Sequence, residues 1–85
     1  MQRTDIDDAV RNTVAKILNI EAGGFEMSDG FKQDLQADSL DIAELAEVVC
    51  NTFQIQVAEA DIFQAATPSG LSEFIHNRLM QRQTP

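Results

Sequence analysis

The chain has no Trp and no Tyr, a single Cys, two Pro and only six Lys and Arg. The lack of large aromatics argues against an aromatic-rich β-barrel. Scarce proline together with 44% hydrophobic residues argues against a disordered tail, so a compact helical protein is expected. The lone Cys50 can form no internal disulfide, and no charged-then-apolar stretch opens the sequence, so the expected location is the cytoplasm. No run approaches the roughly 20 apolar residues of a membrane span, and none of the sequence is repetitive or of low complexity. The few basic side chains face 14 Asp and Glu, giving a formal net charge of -8. Such a field repels phosphate backbones and anionic membranes and speeds encounter with basic protein surfaces. Neither nucleic acid nor membrane is an expected partner; basic proteins are.

At 85 residues and 9.4 kDa the chain has room for one core, so residues 1–85 read as a single domain, expected to be monomeric, without a cleft between two lobes. Thr4, followed by Asp5, Asp7 and Asp8, places a capping oxygen and negative charge at a helix start. Ile6, Val10, Val14, Ile17 and Leu18 then recur at helical spacing. This first helix, from about residue 4 to 19, is expected to stop before Gly23-Gly24, which permits positive φ. From Glu21 to Ala37 no period holds, and Phe25, Met27, Phe31 and Leu35 are scattered through polar sequence. That is a long loop pinned by four apolar side chains, and either a functional segment or a plain connector fits it.

Asp38 or Ser39 caps the next helix, about 38–53. At 100° per residue its side chains fall on two arcs, with Ile42, Leu45, Ala46, Val49 and Phe53 on one and Asp41, Glu44 and Glu47 on the other. Leu40 and Val48 fall among the carboxylates, which makes them either a docking face or ordinary isolated surface residues. Gln54 to Val57 alternates too briefly for a sheet and reads as a connector. A short helix at about 59–65 is expected to turn Ile62 and Phe63 inward. Thr67-Pro68 then starts a last helix, about 68–81, with Leu71, Phe74, Ile75 and Leu79 as its stripe and a fraying tail at 82–85. The fold class is all-α, a small bundle of three main helices and one short one.

Catalytic constellations are thin. Cys50 and His76 could form a dyad, but both lie in apolar helical stretches where a buried structural thiol is the commoner case. Ser39 lacks the G-x-S-x-G turn of a hydrolase, and no sheet exists to present it. Asp38, Asp41 and Glu44 follow a helix surface rather than a twelve-residue cation loop, so no metal site is expected, and Gly23-Gly24 lacks the lysine of a phosphate-cradling loop. Ser39 remains, in the first turn of a helix whose unpaired amides favour an anion such as a phosphate ester. On these residues alone the commoner reading of Asp38-Ser39-Leu40-Asp41 is a capping sequence and nothing more.

Asp38-Ser39-Leu40, preceded by Phe31, Asp34-Leu35 and Ala37 and followed by Asp41, Glu44 and Leu45, closely resembles the modification site of acyl carrier proteins, and the order of helices resembles that family over nearly the whole chain. The resemblance implies a non-catalytic carrier. Its Ser39 would receive 4'-phosphopantetheine from coenzyme A through a separate magnesium-dependent phosphopantetheinyl transferase, and the arm would hold acyl groups as thioesters for loading, transfer and synthase enzymes. It further implies that the acids Asp38, Asp41 and Glu44 meet basic patches on those enzymes with Leu40 as an apolar contact, and Glu47 and Val48, on the same arc by spacing, are expected to join that face. By the same resemblance Leu45, Val49, Ile62 and Ala66 line an acyl pocket, although any bundle core would use the same side chains. Three features depart from the fatty-acid pattern: Gln36 where glycine is usual, Glu47 where an apolar residue is frequent, and Cys50-Asn51-Thr52 in place of an acidic cluster. With them a specialised polyketide, modified-lipid or aminoacyl pathway fits at least as well as housekeeping fatty-acid biosynthesis. The alternative is an acidic helical interaction domain of the same fold without a prosthetic group.

Overall fold

The computed structural model describes residues 2–82. Four helices and no strand make up those residues: α1 (Arg3–Leu18), α2 (Ser39–Phe53), α3 (Glu59–Ala65) and α4 (Pro68–Arg82). Helix α1 packs against α2 and α4, and the short α3 closes the other side by touching the same two helices. The tail expected to fray begins inside α4 at Arg82, and its remainder, 83–85, lies outside the described residues.

The helices start by a shared device. An Asp at the third helical position turns its carboxylate back to the amide of the capping residue: Asp5 to Gln2 N at 3.3 Å, Asp41 to Asp38 N at 3.1 Å and Asp61 to Ala58 N at 2.9 Å. Each bond occupies an amide that would otherwise lack a partner and sets negative charge at the positive end of the helix dipole. Helix α4 instead uses Thr67, whose Oγ1 accepts from Gly70 N at 2.9 Å ahead of Pro68. The cap of α1 is Gln2, two residues before the expected Thr4. Its C-terminus is set by Asn19 in the left-handed conformation at φ 57, not by the glycine pair, and no glycine in the chain has positive φ.

The core is a continuous cluster in which Ile6, Val10 and Val14 of α1 meet Ile42, Leu45 and Val49 of α2, Ile62 of α3, and Leu71 and Ile75 of α4. Full burial of each such side chain contributes about 1.5–3 kcal/mol. The α1–α2 loop joins this core through Phe25 and Phe31, with Met27 and Leu35 partly buried. Two polar clamps hold its path. Arg11 donates to the carbonyls of Ala22 (2.6 Å) and Phe25 (3.0 Å), with its guanidinium 5.1 Å from the Phe25 ring centroid. Farther on, Phe31 N donates to Ala66 O at 2.9 Å and Ala37 N to Phe31 O at 2.8 Å. The second clamp fixes the stretch leading into α2, where Gln36 takes φ 55. A left-handed residue that is not glycine costs on the order of 1 kcal/mol, which the burial of Phe31 and Ala37 on either side offsets.

One expectation fails on helix α3. Ile62 is fully buried, but Phe63 is 43% exposed. Neighbouring helical side chains diverge by about 100°, and α3 turns Ile62 rather than Phe63 into the core.

Candidate functional site

The α2 N-terminus is built on a reciprocal capping box. Asp38 Oδ1 accepts from Asp41 N at 2.9 Å while Asp41 Oδ2 accepts from Asp38 N at 3.1 Å, and Ile42 N closes the first helical turn on Asp38 O at 3.0 Å. Asp38, not Ser39, is therefore the cap, and Ser39 is the first helical residue. Its side chain is exposed, and no described residue hydrogen-bonds to its hydroxyl or to the amides of Ser39 and Leu40. Two amides at the positive end of a helix beside an accessible hydroxyl make a place where a phosphate ester is tolerated. Both neighbouring carboxylates are tied to backbone amides in the cap, which orients them along the chain.

From its start to Glu47 the charged surface of α2 is acidic, since the helix carries Asp41, Glu44 and Glu47 and no basic residue. Leu40 is 79% exposed beside Asp38, Asp41 and Glu44. Val48 differs from the expectation of an open apolar residue. It is half-buried in a groove between α1 and α2, with Lys16 and Ile17 on one wall and Glu44 and Glu47 on the other.

The four residues anticipated as a pocket do not act together. Leu45 and Val49 are buried in the core. Ile62 and the exposed Ala66 line a cavity of about 190 Å³, walled also by Phe31, Lys32 and Gln33 of the loop, Ile42 of α2 and Phe63. The sequence reading missed the loop side of this cavity. Its one available signal was the pair Ile62-Phe63, whose side chains diverge by about 100°.

Cys50 lies about 16 Å along α2 from Ser39. Its Sγ accepts from Val57 N at 3.2 Å and donates to Val57 O at 3.4 Å, fastening the α2–α3 connector. That is a structural duty for the thiol weighed as half of a dyad with His76. No group of three or more His, Cys, Asp or Glu among the described residues is arranged to hold a metal ion, and no described helix is long and apolar enough to cross a membrane.

Comparison with known proteins gives this geometry its context. The family described as "Phosphopantetheine attachment site" matches residues 8–75. An acyl carrier protein of Buchnera aphidicola subsp. Schizaphis graminum is 30% identical over 74 residues, 87% of this chain and 94% of its own length. An acyl carrier protein of Chlamydia caviae is 29% identical over 73 residues, 86% of this chain and 95% of its own. With an all-α fold and a match that spans every helix but the ends of the first and last, the chain belongs to the acyl carrier protein family, non-catalytic carriers with covalently attached 4'-phosphopantetheine.

Proposed function

We propose that Ser39 is the residue that carries the arm. The observation behind this reading is the exposed Ser39 hydroxyl at the first position of α2, inside the Asp38–Asp41 cap and beside unoccupied amides, within the matched stretch 8–75. In the attachment the Ser39 oxygen forms a phosphoester bond as the pyrophosphate link of coenzyme A breaks. The nucleotide bisphosphate leaves, and the proton passes to a base on the transferase. The chain supplies presentation: a rigid helix start, an unobstructed nucleophile and amides that favour the resulting phosphodiester. Bound in this way, the arm supplies a thiol for holding acyl groups as thioesters.

Asp38, Leu40, Asp41, Glu44, Glu47 and the groove-lining Val48 form the proposed docking face for the transferase and for acyl-handling enzymes with basic patches. The acids of α2 from Asp41 to Glu47, with no basic residue on the helix, support this, because steering by such a field raises encounter rates while a small apolar anchor such as Leu40 permits quick release. The departures at Gln36, Glu47 and Cys50-Asn51-Thr52 support a specialised polyketide, modified-lipid or aminoacyl pathway. A reducing cytoplasm is the compartment proposed for the free thiol of Cys50. The attachment test is incubation of the apo chain with coenzyme A, magnesium and a broad-specificity phosphopantetheinyl transferase. One arm should add by intact mass to the wild type and none to Ser39→Ala; an adduct that survives the substitution removes Ser39 from the account.

A further inference from the structure

The acidic face of α2 continues into a groove that a second helix shares. Leu40, Glu44, Glu47 and Asn51 follow one another at spacings of three and four, so they form one row along the helix, and beside that row lies the groove between α1 and α2. The groove has a volume of about 620 Å³ and is open to solvent. Residues 44–51 of α2 border it over roughly 10 Å, about two helical turns, and residues 12–17 of α1 form the facing wall. Half-buried Ile17 and Val48 are its apolar part. The walls differ in charge: Glu44 and Glu47 are exposed on the α2 side, and Lys16 is exposed on the α1 side. No carboxylate lies within ion-pair distance of the Lys16 ammonium among the described residues, so the opposite charges border the groove without closing it.

We propose that this groove receives a partner-enzyme helix carrying charges of both signs: a basic side chain for Glu44 and Glu47, an apolar one for Ile17 and Val48, and an acidic one for Lys16. The proposal rests on the reading of α2 as the docking face and extends that face to α1. Two apolar side chains in an open trough do not enclose a small molecule, whereas a helix laid lengthwise meets both walls over two turns through residues three and four apart. The field of a chain with net charge -8 draws any basic surface towards α2 and does not by itself tell one basic partner from another. Lys16 supplies the distinction. A partner with only basic residues brings a like charge against it, while one with an acid at that place forms a pair. Lys16 also sits in the last turn of α1, where a cation complements the helix dipole, but that contribution concerns folding and is indifferent to the partner.

The test uses the full chain and two stapled helical peptides of identical composition and net charge. Both carry Arg on one flank of a central Leu. The first has its Glu on the opposite flank, towards Lys16, and the second has it on the face turned away from the groove. Equal charge removes the pull of the overall field from the comparison. Titration at low ionic strength, followed by amide NMR, is expected to give the first peptide a Kd lower by roughly two- to fivefold. It is also expected to shift Lys16 and Ile17 together with Glu44, Glu47 and Val48. Lys16→Gln should abolish the difference between the peptides, and Lys16→Glu should reverse it. Equal affinity of the two peptides for the wild type overturns the proposal. So does a Lys16→Gln variant that loses thermal stability but keeps the difference, since Lys16 then serves folding alone. Shifts confined to α2 strike the groove and leave the acidic face standing; shifts on neither helix strike both. Ser39 is unmodified throughout and its attachment is read separately by mass, so failure there gives a different result.

Discussion

Asp38 is placed to do two things at once, and two substitutions separate them. Its carboxylate accepts from Asp41 N at 2.9 Å as the cap of α2, and it also adds a charge to the acidic face around Ser39. Asp38→Ala removes both. Loss of a capping acceptor costs about 1 kcal/mol within a range of roughly 0.5–2. The return bond from Asp38 N to Asp41 Oδ2 is a backbone donor and survives, which keeps the expected loss near the middle of that range. For a domain of this size about 1 kcal/mol lowers Tm by roughly 4–8 °C. Asp38→Asn keeps a capping oxygen and should stay within a few tenths of a kcal/mol of the wild type while losing the charge, because Asn and Asp cap almost equally well. Urea unfolding followed by circular dichroism measures the first effect, and the salt dependence of transferase association measures the second. Asp38→Ala as stable as the wild type, at unchanged m-value, would refute the cap. Asp38→Asn with an unchanged association rate at low salt would remove Asp38 from the docking face.

Other substitutions probe the scaffold and the surface. A Cβ at Gly70 would collide with the Ala65 carbonyl oxygen where α4 crosses the end of α3, so Gly70→Ala should cost about 1–3 kcal/mol in chemical denaturation; a neutral result would show that the two helices move apart freely. Ser72 is fully buried, and its Oγ is the buried side-chain polar atom without a hydrogen-bond partner among the described residues. Ser72→Ala removes a desolvated hydroxyl and should leave stability unchanged or raise it by up to about 1 kcal/mol, and a loss of that size would contradict the reading. Glu44→Lys should slow association with a basic partner severalfold at low salt and flatten its salt dependence, as measured by stopped-flow, and identical kinetics would exclude Glu44 from the interface.

The helical framework was legible because the relevant signals are local. The two arcs of α2 follow from a 100° rotation per residue, and Thr67-Pro68 carries its own start signal in adjacent side chains. What the sequence concealed depends on contacts between distant segments. Arg11 reads as one more helix charge until the loop carbonyls of Ala22 and Phe25 are brought to it. Val48 reads as exposed until the wall of α1 with Lys16 and Ile17 stands beside it. The backward bonds of Asp5 and Asp61 were hidden for a different reason: attention to residues that cap with a side chain passes over Gln2 and Ala58, whose amides are the groups being satisfied. Ser39 itself was legible as a residue type at a helix start, but its exposure and its unengaged hydroxyl depend on Asp38 taking the capping role, a choice that two adjacent capping residues leave open in sequence.

The most direct test of the central claim is peptide-mapped mass spectrometry of the chain purified from its native host. The account predicts one 4'-phosphopantetheine on the peptide containing Asp38-Ser39-Leu40, localised to Ser39, with any retained acyl group added to the same arm and removed by hydroxylamine. A chain carrying the arm on another residue, or one that stays unmodified in cells whose other carriers are fully loaded, would contradict it.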